Sequence, residues 1–561
     1  MREALPPDPS TFASLGELLD DALQRHKSRV ALIEADRKRE VSRRTYADVD
    51  REAGRVALRL ERQGIGPGSR VAVLMANQPA WLITAVAVFR RGATLVPLDA
   101  KLGPDEQRAL LEHVKADLVV IDFPLWRKLP DPPCLAWVNE APATEDVTRW
   151  DDLPEGEGTV VARSPADTAT IVYSSGTGGR PKGCVLSHRA YLAQLQGLLE
   201  RFPMAPGDLF FSVLPTNHAI DFMVGFVGPF VCGASVVHQR TLRPEMLRFT
   251  MQRYGVTHMA VVPMLLAAFE RALDERLEET SGWRRAALDA MVGLHGRLTR
   301  SRPDHRVSST LLRPIHDAFG GRLRLLFCGG AFTERRLAER FIGLGLPVVV
   351  GYGLTEACTV ATVNGLRPPR ADSVGDPVVG VEVRVDAPDG DGVGEVCLRG
   401  PTLMDGYLDD PELTADTLRD GWLHTGDLGW LDASRHLHLV GRLKDVIVTE
   451  GGKNVYPEDV EFAFGGLDAE EVAVFARNTL WPRRGMTGEQ MVVVVRPGSV
   501  PVPELLPELA SRNRALPAFK RVGGVVTWDR AFPRTASLKL KRAELAAALR
   551  DAGEREVLPL S

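Results

Sequence analysis

The chain has 561 residues, 44% of them hydrophobic and 25% charged, with a formal net charge of -4. That length exceeds the roughly 250 to 300 residues at which a single core stops growing, so at least two domains are expected. Its balance of apolar and charged residues excludes a disordered, collagenous or membrane-spanning class. No dense Lys/Arg block marks a polyanion-binding tail, which argues against a nucleic-acid partner.

Met1 to Ser14 carries acidic residues and prolines instead of a basic stretch followed by an apolar run, so no secretory signal is expected. Six well-separated cysteines (Cys134, Cys184, Cys232, Cys328, Cys358, Cys397) without metal-ligand spacing fit reduced thiols in the cytoplasm. Short apolar runs follow at Val71 to Met75, Thr94 to Leu98 and Leu118 to Ile121, with helical patterns between them. From Lys128 to Pro165 the composition turns to Pro, Asp, Glu and Gly, which reads as a surface connection between two lobes. The most apolar stretch, Phe222 to Val237, is interrupted by Gly225, Gly228, Pro229 and Gly233. It falls short of the ~20 apolar residues of a spanning helix, so no transmembrane segment is expected, only a closely packed one.

Further strands are predicted at His258 to Val262, Leu323 to Phe327 and Val348 to Val350. Between them a helix from Leu265 to Glu279 leads into a basic region ending near Gly321, read as helices elaborating the large domain. The alternation predicts an α/β fold, with parallel-rich sheets flanked by helices, while periodicity leaves a mixed α+β arrangement open. Near Gly441 the pattern changes to short strands (Val472 to Phe475, Met491 to Val495) and a late helix, Ala543 to Leu549. The expected division is a large N-terminal domain, 1–443, and a small α+β C-terminal domain, 444–561.

The stretch from Tyr173 to Gly183 (YSSGTGGRPKG) follows an apolar strand and is crowded with glycines and hydroxyls. Backbone N–H groups of such a loop can wrap phosphates, with Ser174, Ser175 and Thr177 adding hydroxyls, Gly176 and Gly178 permitting close approach, and Lys182 adding charge. Neither the GxxxxGK[ST] nor the GxGxxG spacing is present.

Tyr173 to Arg189 resembles the phosphate loop of the adenylate-forming superfamily, which includes acyl-CoA synthetases, peptide-synthetase adenylation domains and beetle luciferases. Gly351-Tyr-Gly-Leu-Thr-Glu-Ala357, Thr425-Gly-Asp427, Gly441-Arg-Leu-Lys-Asp445 and Pro533-Arg-Thr-Ala-Ser-Leu-Lys539 are similar to further segments of that superfamily, in its order. The resemblance covers nearly the whole chain and is greatest to fatty acyl-CoA synthetases. It implies ATP, Mg²⁺ and coenzyme A as reactants and cofactors, a small-molecule carboxylic acid as substrate, and a mobile C-terminal domain.

The resemblance also implies roles. Gly330 and Ala331 line the adenine, Tyr352 lies against it between Gly351 and Gly353, Thr355 bonds the α-phosphate, and Glu356 holds Mg²⁺, a hard ion suited to carboxylate oxygen. Asp427 and Arg442 grip the ribose. Lys539 bridges the acid and the α-phosphate, although Leu538 stands where glycine commonly precedes this lysine and Lys541 lies two residues away. Lys444 is the hinge, and Gly451, Gly452 and Lys453 approach the pantetheine arm. His218 matches the segment near the substrate carboxylate, and Phe222, Met223 and Gly225 the acyl pocket; Asp221 is read as structural.

Three activities stay open on the sequence. A fatty acyl-CoA synthetase is favoured by the complete adenylation set. An acyl-AMP ligase that loads a carrier protein is the second, and a silent acyl- or nucleotide-binding protein the third.

Overall fold

The computed structural model describes residues 7–129, 131–174, 182–278, 282–299, 302–448, 454–481, 490–534 and 540–560. The chain forms two compact units, Met1–Val383 with Leu398–Leu423, and Arg384–Cys397 with His424–Ser561.

In the first unit, nine strands among the described residues form one sheet. Its centre is parallel, in the order Val348–Tyr352, Leu325–Cys328, His258–Val261, Leu209–Ser212, Ser235–Gln239 and Val30–Asp36. A second sheet has a parallel run of Thr168–Ser174, Thr94–Pro97, Arg70–Leu74, Leu118–Asp122 and Leu135–Asn139. Lys182–Ser187 and Gly406–Tyr407 extend its first edge antiparallel. These parallel strands are covered on both faces, which is why Val71 to Leu74 and Leu118 to Ile121 read as unbroken apolar runs instead of alternating ones.

The helix Pro79–Arg90 is buried along its whole length, as a helix apolar on all sides must be. Trp81 and Phe89 on it meet Phe222, with ring centroids 6.0 and 6.3 Å apart. Its one charge, Arg90, is paired with Asp20 and Asp50, which offsets the cost of burying a guanidinium.

One expectation fails within 128–165. Leu135–Asn139 is an edge strand, paired parallel with Leu118–Asp122, where the composition suggested only a connection. Five residues flanked by prolines and acids give too short a pattern to register, yet Trp137 is fully buried and carries the Arg59 guanidinium 4.3 Å over its ring. The Phe222 to Val237 stretch packs inside the unit as a π-helical turn, Asp221–Val227, a short helix, Gly228–Val231, and the strand Ser235–Gln239. The basic region is helical, with Gly282–Thr299, His305–Leu311 and Arg313–Ala318.

In the second unit, Ala469–Ala476, Met491–Pro497, Gly524–Thr527 and Leu558–Pro559 form a sheet with helices on both faces. The strand period of two divides its residues. Val474, Val493, Val495 and Val525 join Phe464, Leu505 and Leu509 in one core, and Phe475, Val492, Val494 and Val526 join Trp528, Leu545 and Leu549 in the other. Among the described residues, no helix is long and apolar enough to cross a membrane.

Candidate active site

In the first unit, several candidate residues follow the C-terminal ends of parallel strands in the nine-stranded sheet. His218 lies after Leu209–Ser212, Gly330 and Ala331 after Leu325–Cys328, and Thr355 and Glu356 after Val348–Tyr352. Parallel sheets hold ligands in the crevice outside this edge. The loops converge tightly. A Cβ built on Gly329 would lie 3.2 Å from Gly351 O and 3.7 Å from Ile220 Cδ1, and Thr359 Oγ1 donates to Ala219 O at 3.2 Å. Gly353 is obligatory, because a Cβ there would come within 1.7 Å of Thr359 O. Gly330 has φ +84, a left-handed backbone that glycine takes at no steric cost.

Glu356 sits in a short 3₁₀ turn, Thr355–Ala357, next to buried Tyr352. Its Oε1 accepts from Ser174 Oγ at 3.2 Å and from Tyr407 Oη at 3.0 Å. Its Oε2 accepts nothing among the described residues. Ser174 ends the strand that leads into the glycine-rich stretch, and Lys182, its cross-strand partner, begins the next strand. The Lys182 ammonium lies 5.3 Å from the centre of the Tyr407 ring, within cation–π range. Burial, and then the Glu356 carboxylate, push the Tyr407 phenol far above its ordinary pKa, so it stays a donor. Carboxylate, ammonium and two hydroxyls are thus collected at the end of one strand pair. A hard-oxygen set of this kind fits Mg²⁺ beside phosphate. Ser175, Gly176, Thr177 and Gly178 lie outside the described residues.

His218 opens the buried turn that contains Phe222. Its N–H donates to Pro215 O and its carbonyl accepts from Phe222 N. Phe222 packs with Pro97, Thr170, Val172, Tyr191, Asn217 and Ala219 around a space too narrow for a water molecule. Met223 and Gly225 are buried in the same turn but are not among the residues lining that space. Asp221 is fully buried, and its Oδ2 accepts from Ser212 Oγ and Thr216 Oγ1, both at 2.8 Å. Its Oδ1 has no partner among the described residues. Burial raises its pKa to about 7 against the pull of those two hydrogen bonds.

In the second unit, Asp427 and Arg442 face each other across antiparallel strands, Oδ1 to Nε 2.6 Å. Glu395 fixes the turn before Asp427, accepting from Gly426 N at 3.0 Å and pairing with His424 Nδ1 at 2.8 Å. Thr425 Oγ1 donates to Val396 O and accepts from Asp427 N. Lys444 is exposed in a short 3₁₀ turn, Leu443–Asp445. Gly451, Gly452, Lys453 and Lys539 lie outside the described residues; Arg534 and Leu540, on either side of the last, bridge to each other. Lys541 is engaged by Glu544 at 2.8 Å. Asp386, Cys397 and His424 bring possible metal-ligand atoms within 4.8 Å of one another. Burial raises the Cys397 thiol to about 11, and His424 Nδ1 is already paired with Glu395.

Residues 19–408 match the family model described as AMP-binding enzyme. The chain is also 31% identical over 517 residues to a feruloyl-CoA synthase from Amycolatopsis sp, across 89% of this chain and 93% of that one. The chain belongs to the AMP-binding enzyme family. A second relative, long chain acyl-CoA synthetase 1 of Arabidopsis thaliana, is 29% identical over 469 residues, 75% of this chain and 70% of that one. Among solved structures, the o-succinylbenzoate coenzyme A synthetase of Bacillus subtilis, in complex with ATP and magnesium ion, superposes with a TM-score of 0.74 at 22% identity, covering 94% of this chain and 98% of that one. The protein has the adenylate-forming fold and is an enzyme, an AMP-forming acid–thiol ligase.

Two members of this AMP-binding chain's candidate site escaped the sequence reading. Tyr407 is a lone aromatic after Gly406, more than fifty residues from the glutamate it touches, and only the antiparallel pairing of Gly406–Tyr407 with Lys182–Ser187 brings it there. Glu395 sits in an ordinary strand, and its role appears only once Gly426 is seen to donate to it.

Proposed function

We propose that this AMP-binding enzyme joins a hydrophobic carboxylic acid, of the medium- or long-chain fatty class, to coenzyme A by way of an acyl adenylate. The observation that carries the proposal is the convergence of Ser174, Lys182, Glu356 and Tyr407 at the carboxyl edge of parallel strands, next to the loops of Gly330 and His218.

In the first step a carboxylate oxygen of the acid attacks the α-phosphorus of ATP. The bond to pyrophosphate breaks, and pyrophosphate leaves with the electron pair. Both reactants are anions, so the work of the protein is to neutralise and orient them. Lys182 supplies positive charge beside the phosphates. Glu356, held in place by two hydroxyls, would bind Mg²⁺ through its other oxygen, and the ion when bound offsets charge on the phosphates. Thr355 donates to the α-phosphate, Tyr352 covers the adenine, and Asp427 accepts from the ribose hydroxyls with Arg442 holding its carboxylate. Lys539 spans the acid and the α-phosphate. In the second step the thiol sulfur of coenzyme A attacks the acyl carbon, and AMP leaves. Lys444 is proposed as the pivot that exchanges Lys539 for the Gly451–Lys453 segment between the steps.

A compact aryl acid is the second reading, supported by the feruloyl-CoA synthase relative. The test follows pyrophosphate release from ATP and Mg²⁺ with acetate, medium- and long-chain fatty acids and arylpropenoic acids, with and without coenzyme A. Turnover that needs coenzyme A and peaks on fatty acids supports the proposal, and a peak on aryl acids selects the second reading. Release limited to about one equivalent, unaffected by coenzyme A, would mean that a carrier-protein thiol is the acceptor.

A further inference from the structure

Asn77 lies between the strand Arg70–Leu74 of the second sheet and the buried helix Pro79–Arg90. Its side chain reaches across to the nine-stranded sheet. Nδ2 donates to Leu214 O at 2.6 Å and to Ser212 Oγ at 3.0 Å, and Oδ1 accepts from Thr216 N at 2.9 Å. Ser212 ends the strand Leu209–Ser212, and the chain runs from it through Leu214 and Thr216 into the turn of His218 and Phe222. Gripping a carbonyl and an N–H of one loop takes a donor and an acceptor on the same planar group. Aspartate has the shape of asparagine but no donor for Leu214 O.

The same loop is held from its other side. Ser212 Oγ and Thr216 Oγ1 both donate to Asp221 Oδ2 at 2.8 Å. Asn77, Ser212, Asp221 and Thr216 thus close a ring of hydrogen bonds, and the last three are buried. A buried network of this kind fixes one arrangement of the segment it encloses, here the residues leading to His218.

Asn77 is itself aimed by its neighbours. Ala76 N donates to Asp122 Oδ2 at 2.9 Å, Gln78 Nε2 donates to Asp122 Oδ1 at 2.9 Å, and Asn139 Nδ2 donates to Gln78 Oε1 at 2.8 Å and to Asp122 Oδ1 at 2.9 Å. Asp122 and Asn139 are register partners at the ends of adjacent strands in the second sheet. Ser174 and Lys182 belong to that sheet, whereas the His218 turn belongs to the other. Asn77 therefore carries the position of the second sheet's edge to the turn. Acyl adenylate formation needs the carboxylate and the α-phosphorus at attack distance, and small displacements there are costly in rate.

We propose that Asn77 is a positioning residue for the adenylation step. Through its ring with Ser212, Thr216 and Asp221 it sets the His218–Phe222 turn, and with it the acid, relative to the phosphate-binding edge of the second sheet. The inference rests on the reading of that turn as the segment that meets the acid.

The experiment follows pyrophosphate release by the full-length enzyme with octanoate, or with an arylpropenoic acid should the second reading hold. Asn77→Ala should raise KM for the acid about tenfold or more and leave KM for ATP within about twofold. Ser212→Ala removes one hydroxyl of the ring with little change of volume and should raise KM for the acid about three- to tenfold. Urea midpoints report whether each variant is folded. A merely structural role would lower the amount of active enzyme, and so kcat, with neither KM moved. Because Asn77 acts through the turn, its substitution in a His218→Ala background should cost less than in the wild type. The inference is overturned if Asn77→Ala and Ser212→Ala leave KM for the acid unchanged, if they raise both KM values alike, or if the effects of Asn77→Ala and His218→Ala simply multiply. His218→Ala separates the two levels: a raised KM for the acid there, with Asn77→Ala normal, sinks the role of Asn77 alone. No change in either variant sinks the reading of the turn as well.

Discussion

Replacing Asp221 by asparagine keeps the shape of the side chain and the two hydrogen bonds from Ser212 and Thr216, now received by an amide oxygen, but removes the ionisation. The pKa of Asp221 in the folded protein, about 7, lies above its ordinary 3.8. The folded state therefore retains a proton that the unfolded chain has already released. Stability must fall as pH rises from about 4 to about 7, and level off above that. The full effect is the pKa difference at 1.36 kcal/mol per unit, about 4 kcal/mol, of which about 3 kcal/mol falls between pH 5 and pH 8. The variant lacks this term, so its stability relative to wild type should rise by about 3 kcal/mol across that interval. Urea unfolding of both proteins at the two pH values, read as midpoint shifts at constant slope, measures the difference. Parallel pH dependences for the two proteins would refute the reasoning, because Asp221 would then be ionised in the folded state or solvated by a route its burial does not suggest.

Glu356→Gln should lower pyrophosphate release by about 10²- to 10³-fold and move the Mg²⁺ titration to higher concentrations, while circular dichroism stays unchanged. Tyr407→Phe removes one of the two hydroxyls on Glu356. A rate loss of about tenfold, the worth of a hydrogen bond to a charged group, is expected in the same assay. Lys539→Ala should reduce the adenylation step by about 10²-fold or more, whereas Lys541→Ala, whose ammonium is held by Glu544, should leave single-turnover adenylation within about twofold of wild type.

The legible parts of this protein are those in which local sequence decides local structure. Apolar runs such as Val348 to Val350 became parallel strands because both of their faces are covered, and the Gly351-Tyr-Gly stretch betrayed itself because Gly353 has no space for a side chain. Asp427 and Arg442 alone would read as ordinary surface charges; their places in Thr-Gly-Asp and Gly-Arg-Leu-Lys-Asp single them out, and the strand register sets them opposite each other. What stayed hidden depends on pairings distant in the chain. Tyr407 reaches Glu356 only through the antiparallel edge of the second sheet, and Leu135–Asn139 is a strand only because Leu118–Asp122 lies beside it. Asp221 could be read as structural from its sequence, but its unpartnered Oδ1 and raised pKa come from complete burial, which no local pattern reports.

The wholly buried helix Pro79–Arg90 bears on how the chain is made. Trp81 and Phe89 rest against Phe222, which leaves the ribosome about 140 residues later. At translation rates of 5 to 20 residues per second, those two rings wait on the order of 10 s for their cover. A nascent chain arrested before Phe222 should therefore be a good substrate for holdase chaperones, and yield in a heterologous host should respond to chaperone supply and growth temperature more than to any change at the catalytic edge.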